Sequence, residues 1–125
     1  MFNDKKLTKN FRLFEFIHSD IAWQFDKLRD SQIDASNDTV IVNNLTKVAE
    51  VLQDVRNSLE LPIYINSGYR SQSLNDKLRE MGYSSHPRSY HLRGLAADVR
   101  GKDINTTRKI WNHAVCQIAK QYPNV

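Results

Sequence analysis

Apolar positions are unevenly spread along this chain, and the most regular stretch follows Asp38. Ile41, Leu45, Val48, Leu52, Val55 and Leu59 recur at steps of four and three, the spacing of one stripe on an amphipathic helix of about five turns. Asp38 or Thr39 is placed to cap its start, and Pro62 ends it. Beyond the proline, Ile63-Tyr64-Ile65-Asn66 alternates in the manner of a strand and enters Ser67-Gly68. Ser71 opens a second helix carrying Leu74, Leu78 and Met81, which Gly82 closes. Asn105 or Thr106 caps a last helix with Ile110, Trp111, Ala114, Val115 and Ile118 turned inward. Near the N-terminus, Phe11 to Leu28 is dense in apolar and aromatic residues and predicts a short helix from about Leu13, with Phe14, Ile17 and Ile21 on one side. Residues 29–38 are rich in Asp, Ser and Asn and read as a loop. The expected fold is α+β, a single domain over residues 1–125 in which a small antiparallel sheet is flanked by three to four helices.

Between the second and last helices lies Ser85 to Val99, where the chemistry concentrates. With Gly94-Leu95 as the tip of a two-residue turn, His91 and Asp98 become cross-strand partners with Cβ atoms roughly 5 Å apart. One zinc ion, which accepts imidazole nitrogen and carboxylate oxygen at about 2.0–2.2 Å, could bridge them. Ala96 and Ala97 keep bulk low beside such an ion. A histidine and an aspartate at this spacing also make an ordinary exposed pair, so spacing alone does not choose. Arg70 follows the strand end and a glycine. From there its guanidinium can take a carboxylate or an oxyanion in bidentate fashion, or simply pack on Tyr69. Ser89 is either a substrate hydroxyl or a turn residue. His18 reads as a surface group, His86 as a loop residue ahead of Pro87, His113 as the polar flank of a helix, and Cys116 as a small apolar helix residue.

The residues Ser89, His91, Gly94, Ala96 and Asp98 form a Ser-x-His-x-x-Gly-x-Ala-x-Asp pattern. It resembles the zinc signature of the D-alanyl-D-alanine carboxypeptidase and L-alanyl-D-glutamate peptidase family, which cleaves peptidoglycan peptides. Ser67-Gly68-Tyr69-Arg70-Ser71 is similar to that family's Ser-Gly-Tyr-Arg-Ser element, and the opening Leu7-Thr8-Lys9-Asn10-Phe11-Arg12-Leu13-Phe14-Glu15-Phe16 to the Asn-Phe-x-Leu-x-Glu-Phe start of its small, often phage-encoded members. The resemblance implies a zinc-dependent peptidase with His91 and Asp98 as metal ligands and with Arg70 and Ser89 contacting substrate. It also implies a third histidine ligand, preceded by a glutamate general base, on a strand after the last helix. Residues 100–125 contain no match to that element. A C-terminally incomplete domain is therefore expected, with a third ligand from His86, His113 or another subunit as the other way to complete the site. No residue is assigned as general base, since Glu60 and Glu80 lie on or beside scaffold helices. The alternative to an active peptidase is a catalytically inactive wall-binding module with an incomplete metal site.

Composition adds less. Eighteen Lys and Arg against fourteen Asp and Glu give a net charge of +4, scattered without the basic stripe and interleaved aromatics of a nucleic-acid binder, so no nucleic-acid partner is expected. One cysteine excludes an intrachain disulfide. No apolar run reaches the roughly 18 residues of a membrane span, and the start Met-Phe-Asn-Asp-Lys-Lys has no signal-peptide character. Cytoplasmic synthesis is expected, with access to the cell wall through phage-mediated release in the manner of an endolysin.

Overall fold

The computed structural model describes residues 4–83 and 86–121, with side chains described up to His113. Its elements are α1 (Leu13–Ile17), α2 (Asp26–Asp34), α3 (Thr39–Leu59), β1 (Tyr64–Ser67), α4 (Gln72–Glu80), β2 (Asp98–Arg100) and α5 (Ile104–Gln121), with 3-10 turns at Ala22–Gln24, Ala35–Asn37 and Tyr90–Arg93. The architecture is α+β, with five helices and one two-stranded antiparallel sheet among the described residues. No helix among them is long and apolar enough to cross a membrane.

The long helix α3 is the scaffold. Asp38 caps it by accepting from the backbone N–H groups of Val40 and Ile41 at 3.0 and 3.2 Å, which satisfies two of the four donors a helix start leaves open. Val42, Leu45, Ala49, Leu52 and Val55 are buried and Ile41, Val48 and Leu59 pack at the margin, so the apolar stripe faces the core. Phe11, Leu13, Phe16 and Ile17 meet it from the N-terminal side, and Ile63 from just before β1, Val99 from β2 and Ile110 from α5. The indole N–H of Trp111 donates to the Val99 carbonyl at 2.9 Å and pins α5 to β2, while half of that side chain stays exposed.

Several local expectations are corrected. Phe14 is exposed, and the buried face of α1 is Leu13, Phe16 and Ile17. A helix of five residues has room for one buried face, and Phe14 instead meets His18 and Trp23 at ring distances of 5.3 and 6.1 Å. The cap of α5 is Asp103, whose Oδ1 accepts from the Thr106 N–H at 2.8 Å. That bond and the Thr106 hydroxyl hold the Asp103 carboxyl below its usual range. The Tyr122–Val125 end lies outside the described residues, as do Ser85 and the side chain of Cys116.

The expected loop over 29–38 is largely α2 and the 3-10 turn that follows it. This helix is anchored by a buried amide instead of an apolar stripe. Gln32, with no exposed surface, donates through Nε2 to the carbonyls of Ile17 and Tyr69, both at 2.8 Å, and accepts at Oε1 from the Ser71 N–H at 2.7 Å. Three backbone groups that would otherwise be buried without partners are satisfied by one side chain.

The Gly94-Leu95 hairpin does not form. His91 lies in the 3-10 turn Tyr90–Arg93, and Gly94 ends that turn in the left-handed conformation, with φ of 70°. β2 pairs with β1, matching Tyr64 to Arg100, Ile65 to Val99 and Ser67 to Asp98, with a bulge between Ile65 and Ser67. Gly94 lies against α3, where an added Cβ would stand 3.1 Å from the Ile41 carbonyl oxygen. The Asn44 amide also donates to the Arg93 carbonyl at 2.8 Å. The turn bearing His91 is thus seated on the scaffold helix.

Two substitutions test this packing. Gly94→Ala should lower unfolding free energy by about 1–2 kcal/mol from the left-handed backbone alone, with the tight approach to Ile41 adding to it. Gln32→Leu should cost about 3 kcal/mol, because three buried backbone groups lose their partner. Denaturant titrations read both, and a change of under half a kcal/mol, the range of an ordinary surface substitution, would contradict the packing described.

Candidate functional site

Although the expected turn is absent, His91 and Asp98 do come together. His91 arrives on the 3-10 turn and Asp98 on the first residue of β2, and His91 Nε2 lies 3.5 Å from Asp98 Oδ2. The orientation of the imidazole is set on its other side. Nδ1 is 2.6 Å from the Gly68 carbonyl oxygen, which can only accept, so Nδ1 carries the hydrogen and Nε2 presents its lone pair toward Asp98 when the ring is neutral. Metal-binding histidines commonly donate their other ring N–H to a backbone carbonyl in this way, which fixes the tautomer and the ring orientation.

Gly68 can serve because it has no side chain. A Cβ there would stand 2.6 Å from the Phe16 carbonyl oxygen, and the next residue, Tyr69, donates its N–H to that oxygen at 2.8 Å. The segment after β1 therefore runs against α1 on one side and offers the Gly68 carbonyl to His91 on the other. Arg70 closes the circuit, its N–H donating to the His91 carbonyl at 3.0 Å.

The Arg70 side chain joins the same cluster. Its Nε donates to Ser67 Oγ at 3.2 Å, and Nη2 is 3.3 Å from the Asp98 Oδ2 that faces His91. A carboxylate offers about four acceptor positions, so this oxygen pair can serve the guanidinium and a second partner at once. Arg70 and His91 side chains are only 15% and 12% exposed, whereas Asp98 is 59% exposed. The Arg70–Asp98 pair is thus screened and adds little stability, and its position in the site matters more than its energy. Burial lowers the Arg70 pKa against the opposing pull of Asp98, and the group stays a cation. Burial also lowers the His91 pKa, with Arg70 adding to the effect and the Gly68 bond and Asp98 opposing it. The imidazole is thereby kept neutral, the form that ligates metal.

Ser89 caps the 3-10 turn, its Oγ accepting from the His91 N–H at 3.2 Å. The hydroxyl positions the turn that carries the imidazole. Gln32, which sequence reasoning passed over, holds the backbone on both sides of Arg70 through Tyr69 and Ser71. Its signal was weak, a single polar residue amid other polar residues.

A tetrahedral ion with bonds of about 2.0–2.2 Å separates neighbouring donor atoms by roughly 3.4 Å. The Nε2–Oδ2 distance of 3.5 Å fits that edge, so His91 and Asp98 suit two positions around one zinc ion. Among the described residues no group of three or more His, Cys, Asp or Glu side chains is placed to hold a metal. His86 accepts from the Arg88 N–H at its Nδ1 and is exposed. His113 Nε2 is buried without a hydrogen-bond partner among the described residues, yet neither histidine joins His91 and Asp98 in such a group. His18 lies between Phe14 and Trp23 near Asp20.

The family model described as Peptidase M15 matches residues 15–121, from α1 to the end of α5 and across the whole cluster. No curated protein and no solved structure matches the chain. The chain belongs to the M15 peptidase family.

Proposed function

We propose that this protein is a zinc-dependent peptidase acting on peptidoglycan peptides, of the D-alanyl-D-alanine carboxypeptidase or L-alanyl-D-glutamate endopeptidase type. Family membership supports a metallopeptidase acting on a peptide. The single observation that carries the metal assignment is the Gly68-oriented imidazole with its Nε2 3.5 Å from Asp98 Oδ2. Held by His91 and Asp98, zinc supplies Lewis-acid chemistry for amide hydrolysis. Arg70 provides a fixed positive charge a few ångströms from that point, suited to a substrate carboxylate or to the oxyanion that develops at the scissile carbonyl. Ser89 keeps the His91 turn in place through its bond to the His91 N–H, and in this reading its hydroxyl is the further substrate contact. No described residue takes the role of general base.

A second reading has its own support: with two donors in place and no third among the described residues, the protein serves as a wall-binding module that uses Arg70 without hydrolysis. Zinc content and peptide cleavage separate the two. Near-stoichiometric zinc with release of D-alanine or of cleaved stem peptide is the expected result. A metal-free protein that still binds peptidoglycan would favour the second reading.

His91→Ala should abolish zinc retention, measured by elemental analysis, while helix content by circular dichroism stays the same. Unchanged zinc content would remove His91 from the site. Arg70→Ala should reduce turnover about a hundredfold, the scale for losing one oxyanion-stabilising donor, with melting temperature nearly unchanged. A loss of fold instead would make Arg70 structural.

A further inference from the structure

Beside the metal-binding pair, the structure holds a cavity of about 320 Å³ between α1 and the sheet, lined by Phe14, Glu15, His18, Asp20, Ile65, Asn66 and Arg100. Its position relative to the site follows from strand geometry. Arg100 lies two residues beyond Asp98 on β2, so both project from the same face, with Cα atoms roughly 7 Å apart. Val99 between them is buried on the other face. A substrate residue next to the one being processed therefore falls within reach of Arg100.

The lining is divided by charge. On the strand side, the Arg100 guanidinium is stacked 5.1 Å over the Tyr64 ring and donates through Nη1 to Asn66 Oδ1 at 2.9 Å. These two contacts hold the fork in place while using one of its five N–H donors. Among the described residues Arg100 makes no ion pair within 4.0 Å, although its aspartate neighbour on the strand pairs with Arg70. On the helix side stand two carboxylates. Glu15 has one oxygen committed to the Arg12 N–H at 2.7 Å, and Asp20 is 3.7 Å from His18 Nε2 and open to water. Phe14 and Ile65 supply apolar wall between the two sides.

A carboxylate alone would meet Arg100 but also two anions. An ammonium alone would meet the anions but also a guanidinium. The geometry points to a group carrying both charges: this cavity receives the amino-acid zwitterion at the free end of a diamino dicarboxylic side chain in the peptide, carboxylate toward Arg100 and ammonium toward Glu15 and Asp20. The inference rests on the peptidoglycan-peptide reading above and deepens it, since stems that carry such a residue differ from lysine-bearing stems by that one distal carboxylate.

The test measures calorimetric binding of two stem tetrapeptides, identical except for meso-diaminopimelate or lysine at the third position, to the full chain and to Arg100→Gln. The wild-type protein should prefer the diaminopimelate peptide about tenfold, the scale of one charge-assisted hydrogen bond. Arg100→Gln should remove the preference, weakening the diaminopimelate peptide while the lysine peptide binds as tightly or more so, whereas Asp20→Asn should weaken both peptides. Equal wild-type affinity for the two peptides overturns the inference without any variant. So does a preference that survives Arg100→Gln. Failure of both peptides to bind the wild type overturns the peptidoglycan reading itself and the inference with it.

Discussion

The arrangement of this site depends on one short hydrogen bond, from the Nδ1–H of His91 to the carbonyl of Gly68. A carbonyl can only accept, so the bond chooses the tautomer and with it the nitrogen that faces Asp98. Burial then keeps the ring neutral. Without that bond, no other hydrogen bond to the His91 ring among the described residues would fix which nitrogen meets the carboxylate.

That bond is possible because three separate parts of the chain are held in register. Gly68 is pressed against the Phe16 backbone, and Gln32 fixes the two residues flanking Arg70. The turn bearing His91 rests on α3 through Gly94 and Asn44. The β1–β2 pairing, with its bulge ahead of Ser67, brings Asp98 across. The core is correspondingly built on α3, whose buried stripe receives α1, both strands and α5. Three closely approached glycines, Gly68, Gly94 and Gly101, and a fully buried amide thus stand within a few residues of the site.

Sequence periodicity made α3, β1 and α4 legible because each is amphipathic or alternating and has a local stop or cap, namely Asp38, Pro62, Ser71 and Gly82. It missed α2 because that helix has little apolar content and is anchored by Gln32, a long-range polar contact that leaves no periodic trace. The pairing of His91 with Asp98 was anticipated for the wrong structural reason. A local hairpin through Gly94 was the simplest way to join residues seven apart, but the partner of β2 is β1, more than thirty residues earlier. Such a pairing is invisible to local pattern. The short motifs around Arg70 and His91 carried what periodicity could not, and the family match over residues 15–121 agrees with them.

The central claim is that His91 and Asp98 share one divalent ion, and anomalous diffraction at the zinc absorption edge from crystals of the zinc-loaded protein tests it most directly. The account predicts a single strong peak about 2.0–2.2 Å from both His91 Nε2 and an Asp98 carboxylate oxygen, with His91 Nδ1 still on the Gly68 carbonyl. A peak bound elsewhere, or one touching His91 through Nδ1 with Asp98 turned away, would contradict it.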